Sequence, residues 1–332
     1  NIVIIAYVLG FVLSFLIPQP FPRTLLIMAL VSQIINKSGA NKKDTASLGL
    51  AVFTSATATS MILLTGDAML NVTAVAFAGT RIGWLDWLSY MAVPGLCASI
   101  LMLLLHLALF RQTGPMEIDP GVLREEQKKL GPLSRQEKTT IAWVSIALLL
   151  WATDFMHHID PSWIALGVVV GLSLPIVGDV LEANDINTGV AWPIVIFVIG
   201  ALAIGTVGKE TGLSQWLARM ALPSSPPENA FTFAAMASLA TMAIHMVLGS
   251  ALACMSIVSP PLVDYAVAAG WSPIFPALLV YTAVEIHYLL PFQHVTILLG
   301  EGERAGKYGG AEVLKFGIPM TLVTLIVILL IE

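Results

Sequence analysis

Apolar runs of about twenty residues recur along this chain, long enough to cross a hydrocarbon layer roughly 30 Å thick as helices. They lie at 91–110, 141–156, 163–177, 194–207 and 318–331. In lipid every backbone N–H and C=O must be paired within the protein, so such runs leave the chain little choice but helix. The sequence is 57% hydrophobic and 11% charged, against about 25% charged in a soluble domain. The expected fold class is an all-α polytopic membrane protein. Cys97 and Cys254 sit in apolar segments, so they offer neither a disulfide framework nor metal-ligand spacing. The chain begins at Asn1 inside an apolar run without a charged leader, so no cleavable signal peptide is visible. The true N-terminus is expected to be missing.

The interruptions carry more information than the runs. Residues 10–32 (GFVLSFLIPQPFPRTLLIMALVS) form an apolar hairpin broken at Pro18, Pro20 and Pro22, with Arg23 beside the break. Three prolines force non-helical backbone, and at membrane depth such backbone must be covered by protein or line a wet cavity. A charge there costs about 2.5–3.5 kcal/mol on insertion scales and marks a functional candidate. Arg23 either grips a carboxylate or sulfate bidentately or snorkels to the surface. Gln19 and Thr24 flank it at the same tip.

A basic loop, 36–44, leads to an apolar stretch, 45–78, interrupted at 54–60 (TSATATS) and 65–71 (TGDAMLN). It reads as two half-helices joined by an unwound segment, or as one helix whose hydroxyls bond back to their own turn. Thr54, Ser55, Thr57, Thr65, Gly66, Asp67 and Asn71 are the candidate cation site, through hydroxyls and freed carbonyls. Asp67 either serves that site, by coordinating a cation or carrying a proton, or caps the second half-helix. Trp84 and Trp87 are expected to be interfacial anchors. Residues 112–140 are the one long polar segment and read as a linker. Spans follow at 139–156, 161–178 and 190–208, then a second hairpin at 230–268 with Gly249 and Ser250 at its tip. A second interrupted span, 273–300, contains Glu285, His287, Pro291, His294 and Thr296. His157 and His158 beside Asp154 suggest a metal site only superficially, because a short loop before Pro161 accounts for them.

The order hairpin, broken helix, span therefore occurs twice. A shift of 225 residues pairs Gly66 with Pro291, Asn71 with Thr296, Pro94 with Pro319 and Thr24 with Gly249. If the first hairpin opens to the cytoplasm, cytoplasmic loops hold twelve of the sixteen basic residues, and only Arg81, Lys209 and Arg219 lie opposite. That satisfies the positive-inside rule and makes the two repeats inverted, the pattern of an alternating-access transporter. The expected location is a bacterial inner (plasma) membrane, with the C-terminus outside. The domain reading is 1–110 for the remaining part of the first repeat, 111–138 for a cytoplasmic linker and 139–332 for the second repeat. An intramembrane enzyme would need a catalytic set such as HExxH, which the sequence lacks.

On the stretches 130–155, 158–175, 211–220, 249–261 (GSALACMSIVSPP) and 289–303 (LLPFQHVTILLGEGE), the chain resembles the divalent anion/sodium symporter family. The resemblance implies an elevator-type secondary transporter of dicarboxylate, citrate or sulfate, working as a homodimer in lipid. It implies a small anionic substrate, no nucleic-acid partner, and no cofactor or metal beyond sodium as the coupling ion. In that family both tips carry Ser-Asn-Thr, holding substrate carboxylates and sodium. Here the tips read Pro18–Thr24 and Gly249–Ala251, with Ser250 matching the motif serine, and Thr65, Gly66 and Asn71 keep part of the first break. The expected substrate-binding residues are Arg23, Thr24, Gln19, Gly249, Ser250, Pro291, His294 and Thr296. The departures leave open a proton-coupled or exchanging transporter without sodium, and a non-transporting membrane sensor on the same scaffold.

Overall fold

The computed structural model describes residues 2–38, 40–111, 131–190, 192–224, 227, 229–302 and 305–331. The expected linker therefore lies outside the described residues over 112–130, as does Arg304, one of the basic residues used to orient the chain. Among the described residues the regular elements are helices. The first five are α1 (Ile2–Ser14), α2 (Pro20–Ser38), α3 (Lys42–Ser60), α4 (Ala68–Ala78) and α5 (Trp84–Leu109). Next come α6 (Arg135–Ala152), α7 (Asp154–His157), α8 (Pro161–Ser173), α9 (Ala183–Gly189), α10 (Trp192–Glu210) and α11 (Leu213–Ala221). The chain then forms α12 (Ala230–Leu248), α13 (Ala251–Ala268), α14 (Ile274–Glu285), a 3₁₀ turn at Pro291–Gln293, α15 (Val295–Gly300) and α16 (Gly310–Ile328).

The chain divides into two compact units, one built from 1–82, 87–114 and 197–332, the other from 83–86 and 115–196. In the larger unit α1 and α2 pack on α3, while α12 and α13 pack on α14. α4 packs on both α14 and α13, which brings the first interrupted segment to the second. Among the described residues four helices are long and apolar enough to cross a membrane: α5, α12, α13 and α16. Their apolar residues face both ways. On α16, Ile318, Leu322 and Ile326 are exposed at four-residue spacing, while Phe316, Met320 and Val327 are buried. Meanwhile Arg23, Thr54, Ser55, Asn71 and Glu285 are fully buried. Polar inside and apolar outside is the arrangement lipid demands.

Trp87 corrects an expectation. It is fully buried, donating Nε1–H to Met61 O at 3.0 Å and meeting Tyr281 edge-on at 5.3 Å. Trp84 is also buried. These rings are core residues, not anchors at the headgroup level.

The smaller unit pairs α6 with α8. Ser134 and Glu137 form a capping box at the start of α6, and Asp160 caps α8 ahead of Pro161. Trp151 donates to Pro161 O at 3.1 Å and Trp143 to Val177 O at 3.3 Å. α8 ends at Ser173 rather than near 178, because Leu174 precedes Pro175 and is pushed to extended backbone, ψ 128°. At 13 residues it rises about 20 Å, short of a bilayer crossing. The Asp154–His157 turn is held by hydrogen bonds to its neighbours. Asp154 accepts from Trp84 N–H at 2.5 Å, and His157 bonds Leu150 O and Ile159 N–H.

Candidate functional site

Both tips and both interruptions belong to the larger unit. At the first tip α1 ends at Ser14 and Pro20 opens α2, where a missing N–H and a fixed φ suit the first helical position. Pro18 O accepts from Ala68 N–H at 3.1 Å, so the tip is stitched to the start of α4. Arg23 is fully buried and does not snorkel. Its Nη1 donates to Ile17 O at 3.2 Å, and Nη2 to Ala56 O at 3.2 Å and to Ser60 Oγ. Only Nε has no partner. In this conformation the bidentate fork is committed to the protein, which corrects the expected two-bond grip on a carboxylate. Arg23 presents a fixed positive charge and an unpartnered Nε–H. Thr24 donates to Phe21 O at 2.6 Å within its own turn, and Gln19 is exposed.

The first interruption, 61–67, has its loose backbone groups tied up by distant side chains. Asn71 Nδ2 donates to Ser60 O at 3.0 Å and Leu63 O at 2.8 Å, leaving its own Oδ1 buried without a partner. Asp67 caps α4, accepting from Met69 N–H at 3.1 Å and Leu70 N–H at 3.3 Å. The backbone doubles back so tightly that a Cβ on Gly66 would lie 2.3 Å from Ser60 O, which accounts for a glycine there. The hydroxyls bond back to their own helix: Thr54 to Leu50 O, Ser55 to Val52 O and Thr57 to Thr54 O. Nor do they converge. Thr54 meets Tyr7 and Ser55 meets Ala6 O, both on α1, while Thr57 meets Tyr288 at 3.4 Å. Of the expected cation set, Thr65, Gly66 and Asp67 lie in the break itself, and Asn71 reaches it from α4.

The second tip is two residues long. Gly249 ends α12 at φ +63°, and a Cβ there would also come within 2.7 Å of the Phe292 ring. Ser250 caps α13 through Ala253 N–H at 3.3 Å and is exposed. Tip and interruption are again joined, here by Phe292 against Gly249 and by His245 Nε2 to Gln293 O at 2.9 Å. The shift of 225 residues superposes the two interruptions but not the tips. Thr24 lies inside α2, whereas Gly249 is the turn itself.

Across the second interruption, 286–294, Gln293 does what Asn71 does in the first. Its Oε1 accepts from Leu289 N–H at 2.6 Å and Leu290 N–H at 2.8 Å. Pro291 starts the 3₁₀ turn, and His294 caps α15, its Nδ1 accepting from Thr296 N–H at 3.2 Å. That bond places the His294 proton on Nε2, which faces Glu285 Oε2 at 3.7 Å.

Ionisable side chains from four segments meet here. Arg23 interacts electrostatically with Asp67 and Glu285, and Asp67 with Glu285 and His294. Glu285, Tyr288, Ser60 and Gln293 were not among the expected site residues. Glu285 carried a sequence signal as an acid inside an apolar run, and Ser60 as the end of the 54–60 interruption. Among the described residues no group of three or more His, Cys, Asp or Glu is placed to hold a metal ion.

A family model described as the sodium:sulfate symporter transmembrane region matches residues 2–332. The chain belongs to the sodium:sulfate symporter family. As a member of that family, with apolar helices of membrane-crossing length, it is an integral membrane protein. Chloroplastic dicarboxylate transporter 1 of Arabidopsis thaliana is 25% identical to it over 205 residues, covering 58% of this chain and 36% of that protein. The protein of the same name from Spinacia oleracea is 27% identical over 187 residues, 54% of this chain and 32% of that protein. An uncharacterised transporter of Haemophilus influenzae is 25% identical over 208 residues, 58% and 42% respectively. The chain thus spans less than half the length of these relatives.

Proposed function

We propose that this chain forms the substrate-carrying part of a secondary active transporter for small divalent anions, with dicarboxylates ahead of citrate and sulfate. The observation that carries the reading is the meeting of two interrupted helices, each joined to its own hairpin tip, around one fully buried arginine. A permanent cation and a free Nε–H are what a desolvated anion needs. The dicarboxylate transporters among the relatives favour dicarboxylates over sulfate.

On this reading the hairpins and interrupted helices move as one body in an elevator-like step, while the other helices serve as scaffold in a homodimer. Residues 1–110 and 139–332 are two inverted repeats about the 111–138 linker, the basic loops face the cytoplasm of a bacterial inner membrane, and a cation, sodium by family description, drives accumulation.

The test is uptake of labelled succinate, malate, citrate and sulfate by the complete protein in proteoliposomes, with and without an inward sodium gradient. Saturable uptake of a dicarboxylate, raised by the gradient, is expected. No flux of any anion would defeat the reading, while flux indifferent to sodium would remove sodium alone.

A further inference from the structure

We infer that Glu285 is a proton-carrying group of this transporter, loaded and unloaded as the anion crosses. The inference rests on the transporter reading above and deepens it by naming a coupling ion other than sodium.

Glu285 is the last residue of α14 and is fully buried. Neither carboxylate oxygen has a hydrogen-bond partner. It also sits at a helix C-terminus, where the macrodipole disfavours an anion. An ionised carboxylate in that setting is poorly tolerated, and a carboxylic acid is not. Asp67 has the opposite surroundings, at the start of α4 with two backbone N–H groups donating to it. Two acids thus share a single fixed cation, Arg23. One of the two has backbone donors of its own, and the other, Glu285, has none.

The groups around Glu285 are few. Arg23 approaches from α2, Asp67 from the first interruption, Tyr281 from one turn back on α14, and Tyr288 and His294 from the second interruption. His245 interacts with both His294 and His287. On α13, Cys254 is tied to Thr241 O. α4, packed on the same helix, has no titratable side chain, and α16 has only Glu312 and Lys315 near its start.

His294 makes the site reversible. Its Nε2–H stands 3.7 Å from Oε2, less than about 1 Å beyond hydrogen-bond length. Closing that gap gives the ionised carboxylate a donor once the proton has left. The step is proton binding alone, carboxylate plus H⁺ giving carboxylic acid, so it needs no co-reactant.

The test uses the complete protein in sodium-free proteoliposomes with the membrane potential clamped. For each protein, exchange of labelled malate against internal malate at equal pH is the reference, and uptake under an inward proton gradient is divided by it. In the wild type the ratio rises, toward tenfold accumulation per pH unit for one carried proton. In Glu285→Gln it falls to that of vesicles without a gradient. A wild-type ratio indifferent to pH, or an unchanged ratio in Glu285→Gln, overturns the inference while leaving transport standing. Absence of exchange in the wild type overturns the transporter reading instead. Should Glu285→Gln lose exchange altogether, proton uptake or release on adding malate to each purified protein, read with a pH-indicator dye, decides. A signal in the wild type that Glu285→Gln lacks supports the inference, and equal signals overturn it.

Discussion

Arg23 donates from Nη2 to the carbonyl oxygen of Ala56 at 3.2 Å, across 33 residues of chain. With Nη1 on Ile17 O and Nη2 also on Ser60 Oγ, one side chain fastens the end of α1, the start of α2 and the end of α3. The same group that offers charge to an anion therefore also closes the first hairpin onto its neighbour.

Replacing Arg23 separates those roles. Arg23→Lys keeps the charge but cannot span three acceptors, and Arg23→Met loses both charge and bonds. Charged hydrogen bonds contribute about 1.5–3 kcal/mol each. Arg23→Met is expected to lose several kcal/mol in thermal melting and to abolish anion uptake, with Arg23→Lys intermediate in stability. Melting of Arg23→Lys at the wild-type temperature would show that the fork holds nothing together.

Asn71 holds two carbonyls with one amide. Asn71→Leu strands Ser60 O and Leu63 O, at about 1–3 kcal/mol for each buried group left unpaired. Asn71→Asp keeps the shape and loses the donor, so it is expected to melt lower as well. Wild-type melting of both variants would mean that the interrupted segment finds other partners.

Gly249→Ala meets two separate obstacles, a left-handed backbone, φ +63°, and the Phe292 ring. The backbone part costs about 1–2 kcal/mol. The double variant Gly249→Ala with Phe292→Ala is expected to regain the steric part of the loss and not the rest, measured by melting as a double-mutant cycle.

Trp87→Phe removes the bond to Met61 O and keeps a ring beside Tyr281. A drop of about 1 kcal/mol is expected in detergent. A ring that served as a lipid-interface anchor would give no change once the bilayer is gone.

The breaks and hairpins were legible because proline and glycine act locally. Pro18, Gly66 and Pro291 fall where helices stop, and Asp67 and Ser250 cap the helices that follow; Pro20 and Pro22, expected to break the backbone, instead lie in the first turn of α2, where a proline needs no N–H partner. What satisfies those stops was not legible. Ser60 meets Arg23 across 37 residues, Gln293 serves amides three and four residues back, and Trp87 turns inward because Met61 O needs a donor. Each depends on which helices pack together, which hydrophobicity alone does not specify. The threonine and serine cluster at 54–60 misled for the opposite reason. A hydroxyl in a helix bonds to its own preceding turn whatever surrounds it, so density of hydroxyls is no measure of a cation shell.

The central claim, that anions bind where the tips meet the interruptions, is tested most directly by substrate protection at Phe292. This side chain is 48% exposed beside Gly249. With Cys97 and Cys254 replaced, the complete protein carrying Phe292→Cys is labelled with a maleimide with and without malate, and Leu322→Cys on the apolar outer face of α16 serves as control. The account predicts that malate slows labelling at 292 severalfold and leaves 322 unchanged. Equal rates at 292 with and without malate, in protein that transports it, would contradict the placement of the site.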